Sequence, residues 1–449
     1  MHRLADSIKN RLHSRPTQDK ATVSLVQDPS SFPSSNDIFR YRKQRGVNLG
    51  SWFVLERWIA EAPFRSAAPP AQSDLDVARG THAKETLEQH WDTWINEGDW
   101  AWIAERGLNS IRLPIGYYHL CGADASVLNN TDFAKLGHVY EGAWKRITNA
   151  ISTAHRFGLG VLIDLHAAPG KQNRDAHAGT SAEPRFFNKV NMTHTLHVLS
   201  VLVTQLDRFC RSSDPPLANV LGIELLNEPQ QDPSLEKWYL DAIRTVRSQD
   251  PSIPVYIGDS WSTDQYAGFI ESHASAIPFT VLDHHLYRCF TQGDASTPAT
   301  RHAHNLRDAS SGTPQMFARV SQKVQGAGGA LVVGEWSGAL NPGSLHGIAD
   351  DTGVRREYIA AQLALYEQHC AGSFFWTYKK EHPGDKGWSL RDAVAAGVFP
   401  SRVGLGNRDA VLREDPQRPT RRSHACDAAL GAYPDLYDLR GSHDRCSPA

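Results

Sequence analysis

The stretch Leu221-Gly222-Ile223-Glu224-Leu225-Leu226-Asn227-Glu228-Pro229 decides the fold. Its apolar run predicts a buried β-strand, and the amide, acid and proline that follow mark the end of that strand. A second apolar run, Ala330 to Gly334, precedes Glu335 and Trp336 later in the chain. Short buried strands that each end at a glutamate are typical of a parallel sheet that presents carboxylates at one edge.

Six further runs share this pattern, and segments of helical period alternate with them. The eight predicted strands are Gly46–Leu49, Ser110–Ile115, Gly160–His166, Leu221–Leu226, Pro254–Gly258, Phe279–His284, Leu331–Gly334 and Gly372–Trp376. The predicted helices include Trp91–Arg106, Gly142–Phe157, Thr193–Cys210, Leu235–Gln249, Pro314–Gln325 and Arg355–His369. This alternation predicts an α/β protein, a single (β/α)8 TIM barrel with insertions and polar terminal tails. A doubly wound open sheet is the alternative, although no glycine-rich phosphate-binding turn follows the first strand.

The barrel is expected to occupy residues 41–400. Residues 1–40 are polar and contain a Ser/Pro cluster, which predicts a flexible N-terminal leader. Residues 401–449 are rich in Arg, Pro and Asp, and we expect a polar C-terminal extension that can pack in part on the barrel.

Composition excludes several classes of partner. The chain has 449 residues and a formal net charge of −2, so it carries no field that would favour nucleic acid or an anionic membrane. No apolar run approaches the roughly 20 residues of a membrane span. The N-terminus lacks the apolar core of a secretory signal, and the six cysteines have no metal-ligand spacing. We therefore expect a cytoplasmic protein with reduced thiols, with secretion by an unconventional route left open. We also expect a monomer.

Polar and aromatic side chains close most of the predicted strands. In a (β/α)8 barrel the active site forms at the C-terminal mouth, so these side chains should meet there. The candidates are Glu56, Arg112, His166, Asn227, Glu228, His285, Tyr287, Glu335 and Trp376.

These residue types suit cleavage of a glycosidic bond. Two carboxyl groups about 5–5.5 Å apart can supply a proton for the leaving oxygen and a nucleophile for the anomeric carbon. We assign Glu228 as the acid/base and Glu335 as the nucleophile. Arg112 could keep the nucleophile ionised, and Tyr287 could bind its oxygen.

Two other candidates would contact the sugar itself. Asn227 can reach a 2-hydroxyl, and Trp376 offers a face on which a sugar ring stacks. The structural alternatives stay open, since a rim glutamate can serve only an ion pair. His166 and His285 could likewise be hydrogen-bonded core histidines.

Two other functions compete with glycoside hydrolysis. A metal-dependent barrel hydrolase would use His166, Asp283, His284 and His285, but no paired H-x-H motif closes the first strand. A non-enzymatic glucan-binding protein on the same fold is the other alternative, and the presence of both glutamates argues against it.

The joint pattern resembles the fungal exo-β-1,3-glucanases of glycoside hydrolase family 5. The motifs that carry the resemblance are Arg45–Glu56, Asn109–Tyr117, Asp164–Gly170, Leu226–Pro229, His285–Tyr287, Gly334–Ser337 and Phe375–Trp376. They occur in the family's order from about residue 45 to 380. The resemblance implies a retaining β-glucosidase without metal or cofactor, acting on a β-glucan or β-glucoside. It also implies that Phe290 borders the second sugar subsite.

The chain departs from this family at two points. Secreted members carry a signal peptide, so this chain is more similar to the intracellular branch. Where the family often has an aromatic residue and an asparagine after Gln172-Asn173, this chain has Arg174–Gly179. A small β-glucoside with another aglycone, such as a lipid or a sterol, therefore stays open beside laminarin-type oligosaccharides.

Overall fold

A computed structural model describes residues 33–404. Its strands are β1 Gln44–Asn48, β2 Ser110–Gly116, β3 Gly160–Ala167, β4 Val220–Glu224, β5 Val255–Gly258, β6 Thr280–Arg288, β7 Ala330–Leu340 and β8 Gly372–Phe375. Each strand pairs in parallel with the next, and β8 pairs with β1 to close the barrel. The predicted (β/α)8 fold is confirmed.

Helices surround the barrel. They are α1 Ser35–Tyr41, α2 Asp74–Ala78, α3 Ala83–Trp94, α4 Glu97–Glu105, α5 Gly137–Tyr140, α6 Ala143–Arg156, α7 Lys189–Ser212, α8 Leu235–Arg247, α9 Thr263–Ser272, α10 Gln292–Ser296, α11 Ala299–Arg307, α12 Gly312–Gly326, α13 Thr352–His369 and α14 Leu390–Ala395. Within residues 33–404, none of these helices has the length and apolar character that crossing a bilayer demands.

One predicted helix is wrong in its bounds. The segment Trp91–Arg106 is two helices, because α3 ends at Trp94 and α4 begins at Glu97. Asn96 caps the second helix, since its side chain accepts a hydrogen bond from the backbone N–H of Asp99 while the Asp99 carboxylate accepts from the backbone N–H of Asn96. Such a capping box starts a new helix where the hydrophobic periodicity reads as continuous.

The two strands that deliver the glutamates also differ from their predicted bounds. β4 ends at Glu224, so Glu228 lies on the loop beyond the strand. β7 runs on to Leu340, so Glu335 lies within the strand, where its register against β8 shifts between Val333 and Trp336. A bulge of this kind bends a strand and re-aims side chains near an active site.

The predicted leader is wrong for its last residues. Helix α1 begins at Ser35, and Ser34 forms a capping box with Asp37. Arg40 pairs with Asp250 at 3.1 Å and donates to the Ser252 hydroxyl at 2.9 Å, which holds the helix against the barrel. The rest of the predicted leader, residues 1–32, and residues 405–449 of the predicted extension lie outside the described part of the chain.

The interior of the barrel changes from apolar to charged along the strands. A cluster of six buried side chains, Leu162, Leu221, Tyr256, Val281, Val332 and Phe374, fills one layer. Two residues further along β3 and β6, the buried acids Asp164 and Asp283 begin a polar layer. Gly334 makes room there, since a Cβ on it would lie 2.0 Å from the Asp283 carboxylate. The apolar layer thus supports a charged layer beneath the C-terminal mouth.

Candidate active site

A cleft of about 940 Å³ opens at the C-terminal mouth of the barrel. Eight of the ten residues singled out from the sequence line it, namely Glu56, His166, Glu228, His285, Tyr287, Phe290, Glu335 and Trp376. The remaining two, Arg112 and Asn227, are fully buried and hydrogen-bonded to each other at 2.8 Å. The structure therefore brings all ten candidates to one place.

Glu335 is held by two fixed donors. Arg112 Nη1 lies 2.9 Å from Glu335 Oε1, and the Tyr287 hydroxyl donates to Glu335 Oε2 at 2.8 Å. The Glu335 side chain is only 6% exposed. Both carboxylate oxygens therefore have defined partners in a site with little water, and their orientation is fixed.

Glu228 lies closer to solvent in a strained loop. Its backbone φ of 44° is in the left-handed region, which a non-glycine residue adopts at a cost of about 1 kcal/mol or more. Its Oε1 is 2.7 Å from His285 Nδ1. Its side chain is 14% exposed, more than twice the exposed fraction of Glu335.

The two glutamates face each other across His285. One oxygen of Glu228, one oxygen of Glu335 and a ring nitrogen of His285 all lie within 4.8 Å of one another. Carboxyl groups about 5–5.5 Å apart leave room for one anomeric carbon between them, whereas pairs about 6.5–9.5 Å apart admit a water as well. An approach of one oxygen from each glutamate to within 4.8 Å is compatible with the closer class.

Arg112 balances three buried carboxylates. Its guanidinium contacts Glu224 at 2.7 Å, Asp164 at 3.2 Å and Glu335 at 2.9 Å, and it also donates to the Asn48 side chain at 3.0 Å. Burial lowers the pKa of Arg112, but the three carboxylates outweigh burial and raise that pKa. The guanidinium therefore stays charged and anchors the layer beneath the cleft.

Burial raises the pKa values of all three acids, because its effect outweighs the single positive charge of Arg112. Burial raises the pKa of Glu224 to about 8 and that of Asp164 to about 7, although Arg112 acts in the opposite direction on both. Burial also raises the pKa of Glu335 to about 7, against the lowering effects of His285 and Arg112. These three carboxyl groups therefore hold a proton more tightly than exposed acids do.

His285 Nδ1 lies between the two glutamates, 2.7 Å from Glu228 Oε1 and 3.5 Å from Glu335 Oε2. Burial lowers the pKa of His285, but Glu335, Asp283 and Glu228 raise it well above its ordinary value. Burial raises the pKa of Glu228, but the hydrogen bond from His285 lowers it by more. The pKa of Glu228 therefore falls below its ordinary value. The proton shared between Glu228 and His285 therefore resides on His285.

His166 and Trp376 form one wall of the cleft, and the buried Asn227 side chain lies behind His166. His166 Nδ1 lies 2.6 Å from Asp164 Oδ2, and the Asn227 amide nitrogen lies 3.4 Å from His166 Nε2. The Trp376 indole stacks on the His166 ring with an interplanar angle of 7° and a centroid distance of 5.7 Å. This wall presents imidazole and indole groups in fixed orientations.

Aromatic side chains surround the outer end of the cleft. Trp58 Nε1 donates to Glu56 Oε2 at 2.7 Å, and the Trp58 ring packs edge-on against Trp388. Phe290 and Trp261 are 70% and 58% exposed, and both line the cleft. The cleft is therefore polar where it is buried and aromatic where it is open.

The four ligands of the alternative metal site do not form one cluster. His284 Nδ1 lies 2.6 Å from Asp259, whereas His166 is bonded to Asp164 and His285 to Glu228. Other groups of donors in the described chain do converge closely enough to hold a cation: Asp175, His177 and Glu228; Glu224, Asp283 and His285; Glu228, His285 and Glu335. In the third group, His285 Nδ1 and Glu228 Oε1 are already hydrogen-bonded to each other, although a metal ion would need both as ligand atoms.

Sequence reasoning missed several residues of the site. Glu224 lies inside the apolar run of β4, and a charged residue in such a run signals a buried partner, which is Arg112. Asp164 gives the same signal, because it is a charged residue inside the apolar run of β3. His177 lies on the loop after β3 and enters the cleft beside Glu228. No spacing or period in the sequence marks that histidine.

Known proteins are similar to this chain in sequence and in fold. The family model described as Cellulase (glycosyl hydrolase family 5) matches residues 78–382. Glucan 1,3-beta-glucosidase 3 of Schizosaccharomyces pombe is 33% identical over 398 residues, which cover 86% of this chain and 77% of that protein. Probable glucan 1,3-beta-glucosidase A of Aspergillus fumigatus is 31% identical over 400 residues, covering 80% of this chain and 87% of the relative.

The solved structure of a rutinosidase from Aspergillus niger superimposes with a TM-score of 0.62. It is 19% identical and covers 81% of this chain and 99% of that one, so it supports the fold alone. The match to the family model and the identity to the glucan 1,3-beta-glucosidases carry the assignment further. This chain belongs to glycosyl hydrolase family 5 and is a glycosidase.

Proposed function

We propose that this glycosidase is an exo-acting, retaining β-glucosidase that releases glucose from β-1,3-glucan, with Glu228 as the acid/base and Glu335 as the nucleophile. The observation that carries the proposal is the close approach of the two carboxylates, since one oxygen of Glu228 lies within 4.8 Å of one oxygen of Glu335. A pair this close suits attack by one carboxylate on the anomeric carbon while the other protonates the leaving oxygen.

In the first step, an oxygen of Glu335 bonds to the anomeric carbon and the bond to the aglycone oxygen breaks. Glu228 transfers its proton to that oxygen, which leaves as an alcohol. In the second step, water attacks the anomeric carbon and the ester bond to Glu335 breaks. Glu228 takes the proton of that water, so both residues return to their starting state and glucose keeps the β configuration.

Position supports this division of roles. Glu335 is deeply buried, and Arg112 and Tyr287 stabilise its anionic form. Glu228 is more exposed, as a group must be that meets both the leaving group and water. His285 can move its proton across the 2.7 Å bond to Glu228, which prepares Glu228 as the acid. The same transfer removes the charge from His285 and leaves Arg112 as the cation beside Glu335.

The shape of the cleft supports action on a chain end. Its buried part presents Glu56, His166 and the two catalytic carboxylates, which can hydrogen-bond the hydroxyls of one terminal sugar. Its open part presents Phe290 and Trp388, on which a following sugar can stack. The names of the relatives from Schizosaccharomyces and Aspergillus point to β-1,3-linked glucan as that substrate.

A second candidate is a β-glucosidase for small glucosides with an apolar aglycone, such as a lipid or a sterol. The exposed aromatic side chains favour it, because Trp58, Trp261 and Phe290 are 44%, 58% and 70% exposed at the opening. Apolar surface of this kind can bind a hydrocarbon as well as a sugar face.

The test is hydrolysis of an aryl β-glucoside by the wild type and by Glu335→Gln. We expect the wild type to release p-nitrophenol and the variant to lose nearly all of this activity, because an amide cannot form the glycosyl ester. Glu271→Gln, which alters an exposed glutamate paired with Lys323, is the matched control and should stay active. Full activity in Glu335→Gln would contradict the assignment.

Substrate choice is measured with laminari-oligosaccharides and glucosylated lipids side by side. Glucose as the sole early product from laminari-oligosaccharides would support exo action on glucan. Faster turnover of the glucolipids would favour the second candidate. Tight binding of glucan without turnover would refute both and support a non-catalytic role.

A further inference from the structure

A histidine outside the predicted site stands beside the acid/base. The loop after β3 forms a short 3-10 turn, Ala176–Ala178, which directs His177 into the cleft. His177 Nε2 lies 3.9 Å from Glu228 Oε2 and 3.6 Å from Asp175 Oδ2. The His177 side chain is 15% exposed, whereas that of Asp175 is 64% exposed.

The hydrogen bonds on its other side determine where His177 carries its protons. His166 Nδ1 lies 2.6 Å from Asp164 Oδ2, and this oxygen also pairs with the Arg112 guanidinium at 3.2 Å. Asp164 Oδ2 is therefore the acceptor, and His166 Nδ1 is protonated. Burial lowers the pKa of His166 well below its ordinary value, so its Nε2 is an acceptor. His177 Nδ1 lies 2.7 Å from that nitrogen and must therefore donate to it. A second proton on His177 can then reside only on Nε2, which faces Asp175 and Glu228.

Titratable groups from four other parts of the barrel surround this ring. Glu56 after β1, His166 on β3, Glu228 after β4 and His285 on β6 all lie in the cleft with His177. Burial lowers the pKa of His177, but Asp175, Glu56 and Glu228 outweigh it and raise that pKa to about 9. The ring is therefore an imidazolium at neutral pH, and Asp175 is its nearest partner on the same loop.

The two oxygens of Glu228 have different neighbours. Oε1 accepts from His285 at 2.7 Å, while Oε2 faces His177 at 3.9 Å. A separation of 3.9 Å is too long for a hydrogen bond, so His177 acts on Oε2 through its charge. An opposite charge within about 4–6 Å favours the ionised form of a carboxyl group.

We propose that His177, held in place by Asp175 and His166, is a positioning residue that favours the carboxylate form of Glu228 and so speeds the second step of the reaction. The inference rests on the proposed function. In that step the bond between Glu335 and the anomeric carbon breaks, the oxygen of water forms the new bond, and its proton passes to Glu228. Glu228 must enter this step ionised, and the adjacent cation makes that state more populated.

The test compares His177→Asn, which removes the charge, with His177→Lys, which retains one. In His177→Asn we expect the basic limb of the kcat/KM profile to move up by about one pH unit, because the acid/base then holds its proton more tightly. On a dinitrophenyl β-glucoside, whose leaving group needs no acid, kcat should fall several-fold while the first burst of dinitrophenol is unchanged. Mass spectrometry should then show more glycosyl-enzyme. His177→Lys should restore the wild-type basic limb.

Asp175→Asn and His304→Asn complete the set. Without the Asp175 carboxylate, His177 should lose its proton at a lower pH. The activity of Asp175→Asn should therefore match that of the wild type at low pH and that of His177→Asn at high pH. His304 is 57% exposed on α11, and its replacement should change nothing.

An unchanged basic limb with normal glycosyl-enzyme levels in His177→Asn would overturn the inference. So would an equal loss in both steps at every pH, since that is the effect of a purely structural role. If the wild type hydrolysed no β-glucoside, or Glu335→Gln stayed active, the proposed function would fail and this inference with it. A wild type that is active beside an unaffected His177→Asn would refute the inference alone.

Discussion

Replacing Tyr287 by Phe tests how Glu335, the proposed nucleophile, is kept ionised. The Tyr287 hydroxyl donates to Glu335 Oε2 at 2.8 Å, while Arg112 contacts the other oxygen and is unaffected by the change. Burial and the neighbouring Glu335 raise the pKa of Tyr287 well above its ordinary value, so it remains a donor throughout the working pH range. The substitution therefore removes one hydrogen bond to the carboxylate and leaves the ring in place.

The expected size of the effect follows from the charge on the acceptor. A hydrogen bond to an ionised group contributes about 1.5–3 kcal/mol. One pKa unit corresponds to about 1.4 kcal/mol, so the pKa of Glu335 should rise by about 1–2 units. Because the nucleophile must be ionised, the acid limb of kcat/KM should move up by the same amount. Below that limb, activity should fall about 10–100-fold, and the loss should shrink as the pH rises.

The assay is a kcat/KM profile over pH on an aryl β-glucoside. Tyr239→Phe is the matched control, because the Tyr239 hydroxyl is also buried but donates to the backbone oxygen of Gly258 at 2.9 Å. That variant should keep the wild-type acid limb. An acid limb that does not move in Tyr287→Phe, with activity reduced equally at all pH values, would refute the reasoning.

Three further predictions concern stability and binding. Arg112→Met should destabilise the fold by about 3–5 kcal/mol in denaturant unfolding at neutral pH, because it removes the one cation that contacts all three buried acids; a loss below about 1 kcal/mol would contradict this. Burial raises the pKa of Asp74 to about 8, so the native state holds a proton that the unfolded chain releases, and stability should fall as pH rises from about 4 to 8. The measurement is the free energy of unfolding as a function of pH. Asp74→Asn should reduce the slope of this plot by up to about 1.4 kcal/mol per pH unit. An unchanged slope would refute the burial argument. Trp261→Ala should raise KM for oligosaccharides more than for an aryl glucoside, and equal effects on both substrates would show that this side chain does not contact the distal sugars.

The barrel could be predicted because each strand is a short apolar run bounded by polar residues. The sequence did not reveal where β7 ends, since its residues beyond Glu335 are buried through contacts with the loop that contains Gly387. The polar composition of residues 35–40 likewise concealed α1, whose stability comes from ion pairing of Arg40 with Asp250, far away in the chain. Contacts that are distant in sequence leave no local period to read.

The strand-end rule selected the two glutamates that we propose as the catalytic pair, together with residues that contact them. It did not find Asp164, Glu224 and Asp283, because these acids lie within the strands and face the barrel interior, where only the closed fold brings them to Arg112 or His285. His177 could not be inferred either, because a loop conformation determines that it enters the cleft. The charged layer and the loop histidine are therefore products of the three-dimensional arrangement.

The most direct test of double displacement is the configuration of the sugar when it is first released. The reaction is followed by proton NMR, and the anomeric signals are read before mutarotation mixes them. The close approach of Glu228 and Glu335, with one oxygen of each within 4.8 Å of the other, predicts that β-glucose appears first. Initial release of α-glucose would mean that water attacks directly, and Glu335 would then not be the nucleophile.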